Sequence, residues 1–361
     1  MQDRAAIRKE ALRLRSLFEK KGAQPVETDI LQPAAALLDL YGEDIRARAF
    51  VTVDSQKGEL MLRPDFTVPV AQMHMEHGAE SACYTYAGEV FRRQNECRDR
   101  PIEYFQVGIE LFHIGNPAYA DARVFSSIYS MLGNLRLKPA IGDIGILMSA
   151  VEGLSTINRR KRALMRHIWR PGRFRTLLDR YSGRMPVPNS RAELLASKDP
   201  MSNAGQVIGL RTASEITERI EALREDAATK PLPEHVIELL DEILEVGGKP
   251  EASLKRLREI ELDMPVIVPA VDGLEKRLEA IENCGIDLNA LVFEASYGRT
   301  QMEYYDGFVF GFYSERHSEM PPVASGGRYD ALTRRLGRGR MVPAVGGVIR
   351  PGLTLELERE G

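Results

Sequence analysis

Cysteine is scarce in this 361-residue chain: Cys83, Cys97 and Cys284 are too few and too scattered to build a disulfide framework or a tetrahedral metal centre. No run of about 18 apolar residues occurs, which leaves no candidate membrane-spanning helix. The opening stretch MQDRAAIRKEALRLRSLFEKKG is charged throughout and lacks the apolar segment of a secretory leader. Charge of one sign is missing as well: 49 Lys and Arg stand against 52 Asp and Glu, a net charge of −3, so no global field draws the chain to nucleic acid or membrane. Any basic site must be local. These absences point to a soluble, cytoplasmic protein for which neither a metal nor a cofactor is expected. No internal repeat or low-complexity tract is present.

What is there falls into three zones. Residues 3–21 place Ala6, Ile7, Leu12, Leu14, Leu17 and Phe18 near helical spacing, and Gly22 is suited to end that helix. Short β-prone runs follow as far as about 145: AFVTVD, GELMLRP, ACYTYAGEVF and IEYFQVGIELF, then a helix near 119–136. Residues 148–262 change character, with ITERIEALRE, LPEHVIELLDEILEVGG and ASLKRLREIEL reading as amphipathic helices. Strands return in NALVFEASYGR, YYDGFVFGFY and PAVGGVIRPGLTLELE. The expected class is α+β: an antiparallel sheet with flanking helices from 1–147 and 263–361, interrupted by a mostly helical insertion at 148–262.

The segment GEVFRRQNECRDRPIEYFQVGIELF, residues 88–112, carries the most chemistry. Period-two alternation puts Tyr104, Gln106, Gly108, Glu110 and Phe112 on one face of a strand and Phe105, Val107, Ile109 and Leu111 on the other. With YTYAGEVFR as its antiparallel neighbour, Tyr84, Tyr86, Gly88, Val90 and Arg92 form a set able to share the face of Gln106 and Glu110. Glycines there remove bulk, and the remaining carboxylate, amide, aromatic and guanidinium groups suit a polar, amine-bearing ligand. A solvated sheet face with ordinary ion pairs fits the same residues.

Five blocks in order resemble the histidyl-tRNA synthetases, which are class II aminoacyl-tRNA synthetases. VETDILQP at 26–33 is similar to their dimer-forming first motif, LRPDFTVPV at 62–70 to the segment LRPEGT, and FRRQNECRDRPIEYFQVGIELF at 91–112 to the second motif. MEYYDGFVF at 302–310 resembles LDYYTGTVF, and ASGGRYDAL at 324–332 resembles AAGGRYDGL. The resemblance implies a class II synthetase-like fold and a histidine pocket. Its amino-group contacts would be Asp65, which shortens the family's glutamate, with Thr67 and Gln106. Glu110 and Tyr305 would face the imidazole, with Tyr304 and Tyr329 beside them. Glu110, as a ligand-facing carboxylate, is expected to add little to the stability of the core.

The nucleotide side departs from the family. Arg92 and Arg100 keep two second-motif arginines, and with Arg328 they make up a vestigial nucleotide site. Gln94 and Ile102 fall where the loop has glutamate and arginine, Thr300 falls where the histidine-specific signature has arginine, with Arg299 one residue off register, and Leu353 stands at the third-motif arginine. Arg350 is the nearby substitute, followed by Pro351 and Gly352. Adenylation needs cations on the phosphates, so no catalytic residue is expected. The sequence runs to Gly361, so the synthetases' anticodon-binding domain of roughly a hundred residues is expected to be absent. This combination is similar to the regulatory subunits of ATP phosphoribosyltransferase in histidine biosynthesis. That resemblance implies histidine as effector, a short-form catalytic subunit as partner, a homodimer within a hetero-oligomer and no tRNA. The alternative is a histidine-activating enzyme or an amino-acid ligase acting on another carrier.

One feature stands outside both readings. NRRKRALMRHIWRPGRFR at 158–175 carries Arg159, Arg160, Lys161, Arg162, Arg166, Arg170, Arg173 and Arg175 without an acid. It reads either as a solvated helix face or as a partner surface, which an exposed Trp169 would favour.

The VETDILQP block generates a first prediction. An isologous contact closes at two copies, so light scattering at micromolar concentration should give twice the 40.5 kDa chain mass. A strictly monomeric mass would remove this block from a two-fold interface.

Overall fold

Asp3 opens the first helix, Arg4–Lys20, by accepting from the backbone N–H groups of Ala5 and Ala6, and Ile7, Ala11, Leu14 and Phe18 form its buried stripe. The computed structural model describes residues 3–34, 45, 47–93, 101–202, 205, 209–299 and 304–360. The chain divides into two units, Met1–Leu147 with Ile243–Gly361, and Met148–Glu242.

The first unit is built on a nine-stranded sheet. Its strands are β1 (Gln24–Pro25), β5 (Ala82–Phe91), β6 (Glu103–Phe112), β7 (Leu137–Asp143), β8 (Gly247–Gly248), β9 (Val292–Glu294), β10 (Phe308–Ser314), β11 (Ala324–Arg328) and β12 (Ala344–Ile349). They run in the order β1-β5-β6-β12-β11-β10-β7-β9-β8. All pairs are antiparallel except β1 with β5 and β7 with β9. A separate sheet orders β2 (Leu31–Pro33), β4 (Gly58–Leu62) and β3 (Val51–Asp54), leaving Leu31, Val51 and Val53 exposed. The α+β class and the antiparallel core expected from the sequence are both present.

The two faces of the large sheet differ. Val107 and Ile109 on β6, Ile141 on β7 and Phe308, Phe310 and Phe312 on β10 are buried on one side, where the helices Pro117–Leu132 and Val268–Asn283 pack. Phe125 from the first of these helices stacks on Phe312 at 5.4 Å and 21°. The other face carries the candidate site and is covered by the helix Thr67–His77, whose His74 ring stacks on Phe112 at 3.8 Å. The insertion was expected to reach 262, but residues 243–263 fall in the first unit. Gly247 and Gly248 pair with β9, and the helix Pro250–Asp263 packs on the helix Val268–Asn283.

The second unit is helical, with Asn158–Arg166, Pro171–Ser182, Asn189–Ala196 and Ala213–Ala228 as its principal helices. Here three of the eight cations of the basic segment, Arg159, Arg160 and Arg175, pair with acids distant in sequence. Arg160 is buried and donates to Asp226 Oδ1 at 2.7 Å, to the Asp226 carbonyl at 2.8 Å and to the Lys230 carbonyl at 2.9 Å. Arg180 and Arg191 reach Asp226 Oδ2 at 2.7 and 2.9 Å. Burial works to raise the Asp226 carboxyl, yet the hydrogen bonds from Arg160 and Arg180 hold it below its ordinary value. Arg159 pairs with Glu225 at 3.2 Å, and Arg175 pairs with Asp241. Trp169 is half-buried, while Arg162, Arg166 and Arg173 remain exposed. The segment is therefore a packing element of its own unit with a few solvated arginines.

Without Arg160, Asp226 keeps Arg180 and Arg191 but loses its partner at Oδ1. Arg160→Ala should cost the second unit about 1.5–3 kcal/mol, the value of a hydrogen bond to a charged group, and speed amide exchange across 148–242 while protection of β5 and β6 persists. Unchanged exchange in that unit would show the Asp226 cluster to be dispensable.

Candidate functional site

β5 and β6 pair in the register that alternation predicts, with Tyr84 opposite Glu110, Tyr86 opposite Gly108 and Gly88 opposite Gln106. On the other side of β6, Gly346 lies opposite Glu110 and Val348 opposite Gly108, and β11 adds Gly327 opposite Gly346. One face of β6 thus carries Glu110 and Gln106 on a floor kept low by glycines. A Cβ at Gly346 would lie 1.6 Å from Glu110 Oε2, and one at Gly108 would lie 2.3 Å from the Tyr86 hydroxyl. Neither position has room for a side chain.

Glu110 is fully buried and accepts three hydroxyl hydrogen bonds. Thr67 and Tyr86 donate to Oε1 at 2.8 Å each, and Tyr329 donates to Oε2 at 2.6 Å. Each donor comes from a different element: Thr67 starts the helix Thr67–His77, Tyr86 lies on β5 and Tyr329 follows β11. Burial raises the Glu110 carboxyl to about 7 even though the hydroxyls from Tyr329, Thr67 and Tyr86 pull it down. The carboxylate is therefore a structural node as well as a site group. The expectation that it adds little to the fold gives way to this three-donor arrangement.

A second carboxylate, Asp65, is buried near the start of the same helix. It receives the Tyr304 hydroxyl at 3.0 Å and the Val68 N–H at 3.4 Å, and an Arg92 terminal nitrogen stands 3.9 Å away. An acid there is favoured by the positive end of the helix. Tyr304 meets the rings of Tyr305 at 4.9 Å and Tyr329 at 6.1 Å edge-on, and Tyr305 lies across Gly327. Burial raises the hydroxyls of all three tyrosines above the usual phenol range, so they are neutral donors. Gln106 is buried, and its Oε1 accepts no hydrogen bond among the described residues. An unmade bond at a buried acceptor is costly, and an incoming ammonium or N–H would satisfy it.

Asp65, Thr67, Gln106, Glu110, Tyr304, Tyr305 and Tyr329 thus gather on one face of one unit. Arg92 joins them, with its Nε on the Pro64 carbonyl at 2.6 Å. Arg328 does not. It points to the opposite face, where it donates to Asp121 Oδ1 at 2.6 Å, Asp330 Oδ1 at 3.0 Å and the Pro117 carbonyl at 3.1 Å. It belongs to a buried ion network with Arg277 and Asp143, because strand alternation sets it against its neighbour Gly327. Arg100, Gln94 and Thr300 lie outside the described residues. Tyr86 was absent from the expected ligand set, although its register with Gly108 could have placed it there. Phe66, stacked on Tyr86 at 4.3 Å and 10° with the Arg63 guanidinium 4.1 Å above it, carried no sequence signal of its own. No group of three or more His, Cys, Asp or Glu able to hold a metal occurs among the described residues.

Comparison with known proteins bears on this geometry. The histidyl-tRNA synthetase family profile matches residues 2–208 and 209–351. A protein of Brucella anthropi named ATP phosphoribosyltransferase regulatory subunit is 30% identical over 353 residues, 92% of this chain and 93% of that one. Its namesake in Brucella canis is 31% identical with the same coverage. Among solved structures, an ATP phosphoribosyltransferase regulatory subunit/histidyl-tRNA synthetase from Bacillus halodurans superposes with a TM-score of 0.67 at 22% identity, covering 99% of this chain and 81% of that one. A histidine–tRNA ligase subunit from Alicyclobacillus acidocaldarius gives 0.62 at 21% identity, covering 100% of this chain and 96% of the other. At these identities the structures speak for the fold alone.

The raised Glu110 carboxyl has a signed consequence. The folded chain holds this proton more tightly than the unfolded chain, so the stability linked to it is present below about pH 4.5 and is lost as pH rises toward about 7. Gln at 110 cannot titrate, and the Tyr329 hydroxyl can turn to accept from its amide. From pH 4.5 to 8 the wild type should lose about 1–3 kcal/mol relative to Glu110→Gln. Parallel stability curves in denaturant titrations would contradict the raised value.

Proposed function

This chain belongs to the histidyl-tRNA synthetase family and, within it, to the ATP phosphoribosyltransferase regulatory subunits; from that premise we propose that it binds free histidine and governs a short-form catalytic ATP phosphoribosyltransferase subunit. It is a required, non-catalytic subunit of the first step of histidine biosynthesis, and histidine is the feedback signal. The chain acts in the cytoplasm as a homodimer within the hetero-oligomer and does not engage tRNA.

One observation carries the reading: two buried carboxylates and one unsatisfied amide oxygen share a glycine-paved face. Glu110, oriented by three hydroxyls, offers its remaining acceptor capacity to an imidazole N–H. Asp65, Thr67 and the open Gln106 Oε1 suit an ammonium. Tyr304, Tyr305 and Tyr329 enclose the ring as neutral donors and apolar walls. A site of this kind suits recognition of an amino acid.

The nucleotide side supports the non-catalytic half. Arg328 is spent in the ion network behind the sheet, and Leu353 stands on the helix Pro351–Glu360 where the synthetases have an arginine. Arg92 is turned toward Asp65 and the Pro64 carbonyl. Preorganised cations for a pentavalent phosphorus are what adenylation requires, and the retained chemistry is that of amino-acid binding. The second reading, a histidine-activating ligase, draws on the match of nearly the whole chain to the synthetase profile.

Two measurements decide. Calorimetric titration with histidine should give one site per chain, and Glu110→Gln should weaken it about ten- to a hundred-fold, the loss of a hydrogen bond to a charged group. Equal affinities would remove Glu110 from the ligand. Histidine-dependent ATP–pyrophosphate exchange should be absent, and robust exchange would establish the ligase reading instead.

A further inference from the structure

Arg350 directly follows β12, on the same face as Glu110. Gly346 and Val348 lie opposite Glu110 and Gly108, so two residues further the alternation returns Arg350 to that face. It comes level with Gln106, one residue past the last β6–β12 pair, Ile349 with Val107. Its side chain confirms the placement. The guanidinium donates to the Pro322 carbonyl and stands 3.4–3.5 Å from the hydroxyl of Ser325, the residue opposite Val348 on β11.

These partners are neutral. No carboxylate lies within ion-pair distance of Arg350 among the described residues, and it is only partly buried. Tyr104, Arg92, Tyr305 and Tyr313 are its electrostatic neighbours, the second of them a like charge. Arg92 differs, because Asp65 already opposes it at 3.9 Å. Beside Arg350, Gln106 Oε1 is the buried acceptor without a partner. At one level of the sheet stand a cation lacking an anion and an acceptor lacking a donor. An α-amino acid presents that complement on a single carbon.

The spacing agrees. Glu110 and the Gln106–Arg350 level are four residues apart, about 13 Å along the strand. A histidine measures about 6–7 Å from ring nitrogen to carboxylate oxygen by standard bond lengths, and a hydrogen bond of about 3 Å at each end fills the rest. Resting on the reading of the site as a histidine pocket, we infer that Arg350 binds the ligand's α-carboxylate, paired with Gln106 on the α-amino group, and so makes the site selective for a free amino acid over its decarboxylated or esterified forms. Planar, bidentate recognition of a carboxylate is the geometry a guanidinium provides.

Histidine and histamine distinguish the carboxylate from the rest of the ligand. Calorimetry on the full chain should show the wild type preferring histidine to histamine by about ten- to a hundred-fold, the value of a charge-assisted hydrogen bond. Arg350→Met should bind histidine only as well as histamine while leaving histamine affinity unchanged, because removal of either partner ends the same contact. Arg350→Lys, which keeps charge without the fork, should retain part of the preference and serves if Arg350→Met fails to fold. Undiminished preference for histidine in both variants overturns this assignment alone. A wild type that binds neither compound overturns the histidine reading and this assignment with it.

Discussion

A carboxylate buried away from water survives only if donors meet it, and that requirement at Glu110 organises the first unit. Three hydroxyls meet it, and each arrives from a different part of the chain. Thr67 depends on the helix Thr67–His77 lying over the sheet, Tyr86 on the β5–β6 register, and Tyr329 on the turn after β11. Gly346 has to be glycine because the carboxylate occupies the place of its Cβ. The helix, two strand registers and one turn are thereby fixed to each other through a single side chain. The same group gives the face its capacity to read a donor on a ligand.

The segment Arg328–Tyr329–Asp330 shows how a few residues serve both sides of one sheet. Arg328 enters the rear network, where Asp121 and Asp143 also hold Arg277. Tyr329 reaches forward to Glu110. Asp330 binds Arg328 and receives the Ala344 N–H, while its own backbone N–H donates to Asp306. Burial and the neighbouring Asp330 charge raise the Asp306 carboxyl to about 7. Asp306 follows Tyr304 and Tyr305 directly, so the tyrosines of the candidate site and the ion network behind the sheet are joined through backbone and carboxylate. Breaking a buried network of this kind costs more than its individual contacts suggest.

Much of this was legible because period-two alternation is a local rule. It placed Tyr84, Tyr86 and Gly88 beside Gln106 and Glu110, and the observed register agrees. The seven candidate site residues gathered because each lay in a block whose order the fold preserves. Arg328 was grouped with the nucleotide site because its motif was matched as a string, without noting that alternation sets it on the face opposite Gly327. The end of the insertion was misjudged because the boundary at Ile243 falls inside the amphipathic helix Glu234–Glu245, and a two-residue strand at Gly247–Gly248 leaves no periodic signal. The basic segment read as a surface because its acids are remote: Arg160 and Asp226 are 66 positions apart. Composition records charges but not their pairing in space.

The central claim is that histidine bound beside Glu110 governs a separate catalytic chain. Its most direct test is ATP phosphoribosyltransferase activity of the short-form catalytic subunit, assayed alone, with this protein and with its Glu110→Gln variant, as histidine is titrated. The account predicts that this protein raises the activity, that histidine then lowers it, and that the variant still activates but shifts the inhibition to higher histidine. Activity indifferent to this protein, or inhibition by histidine that is identical with the variant, would contradict it.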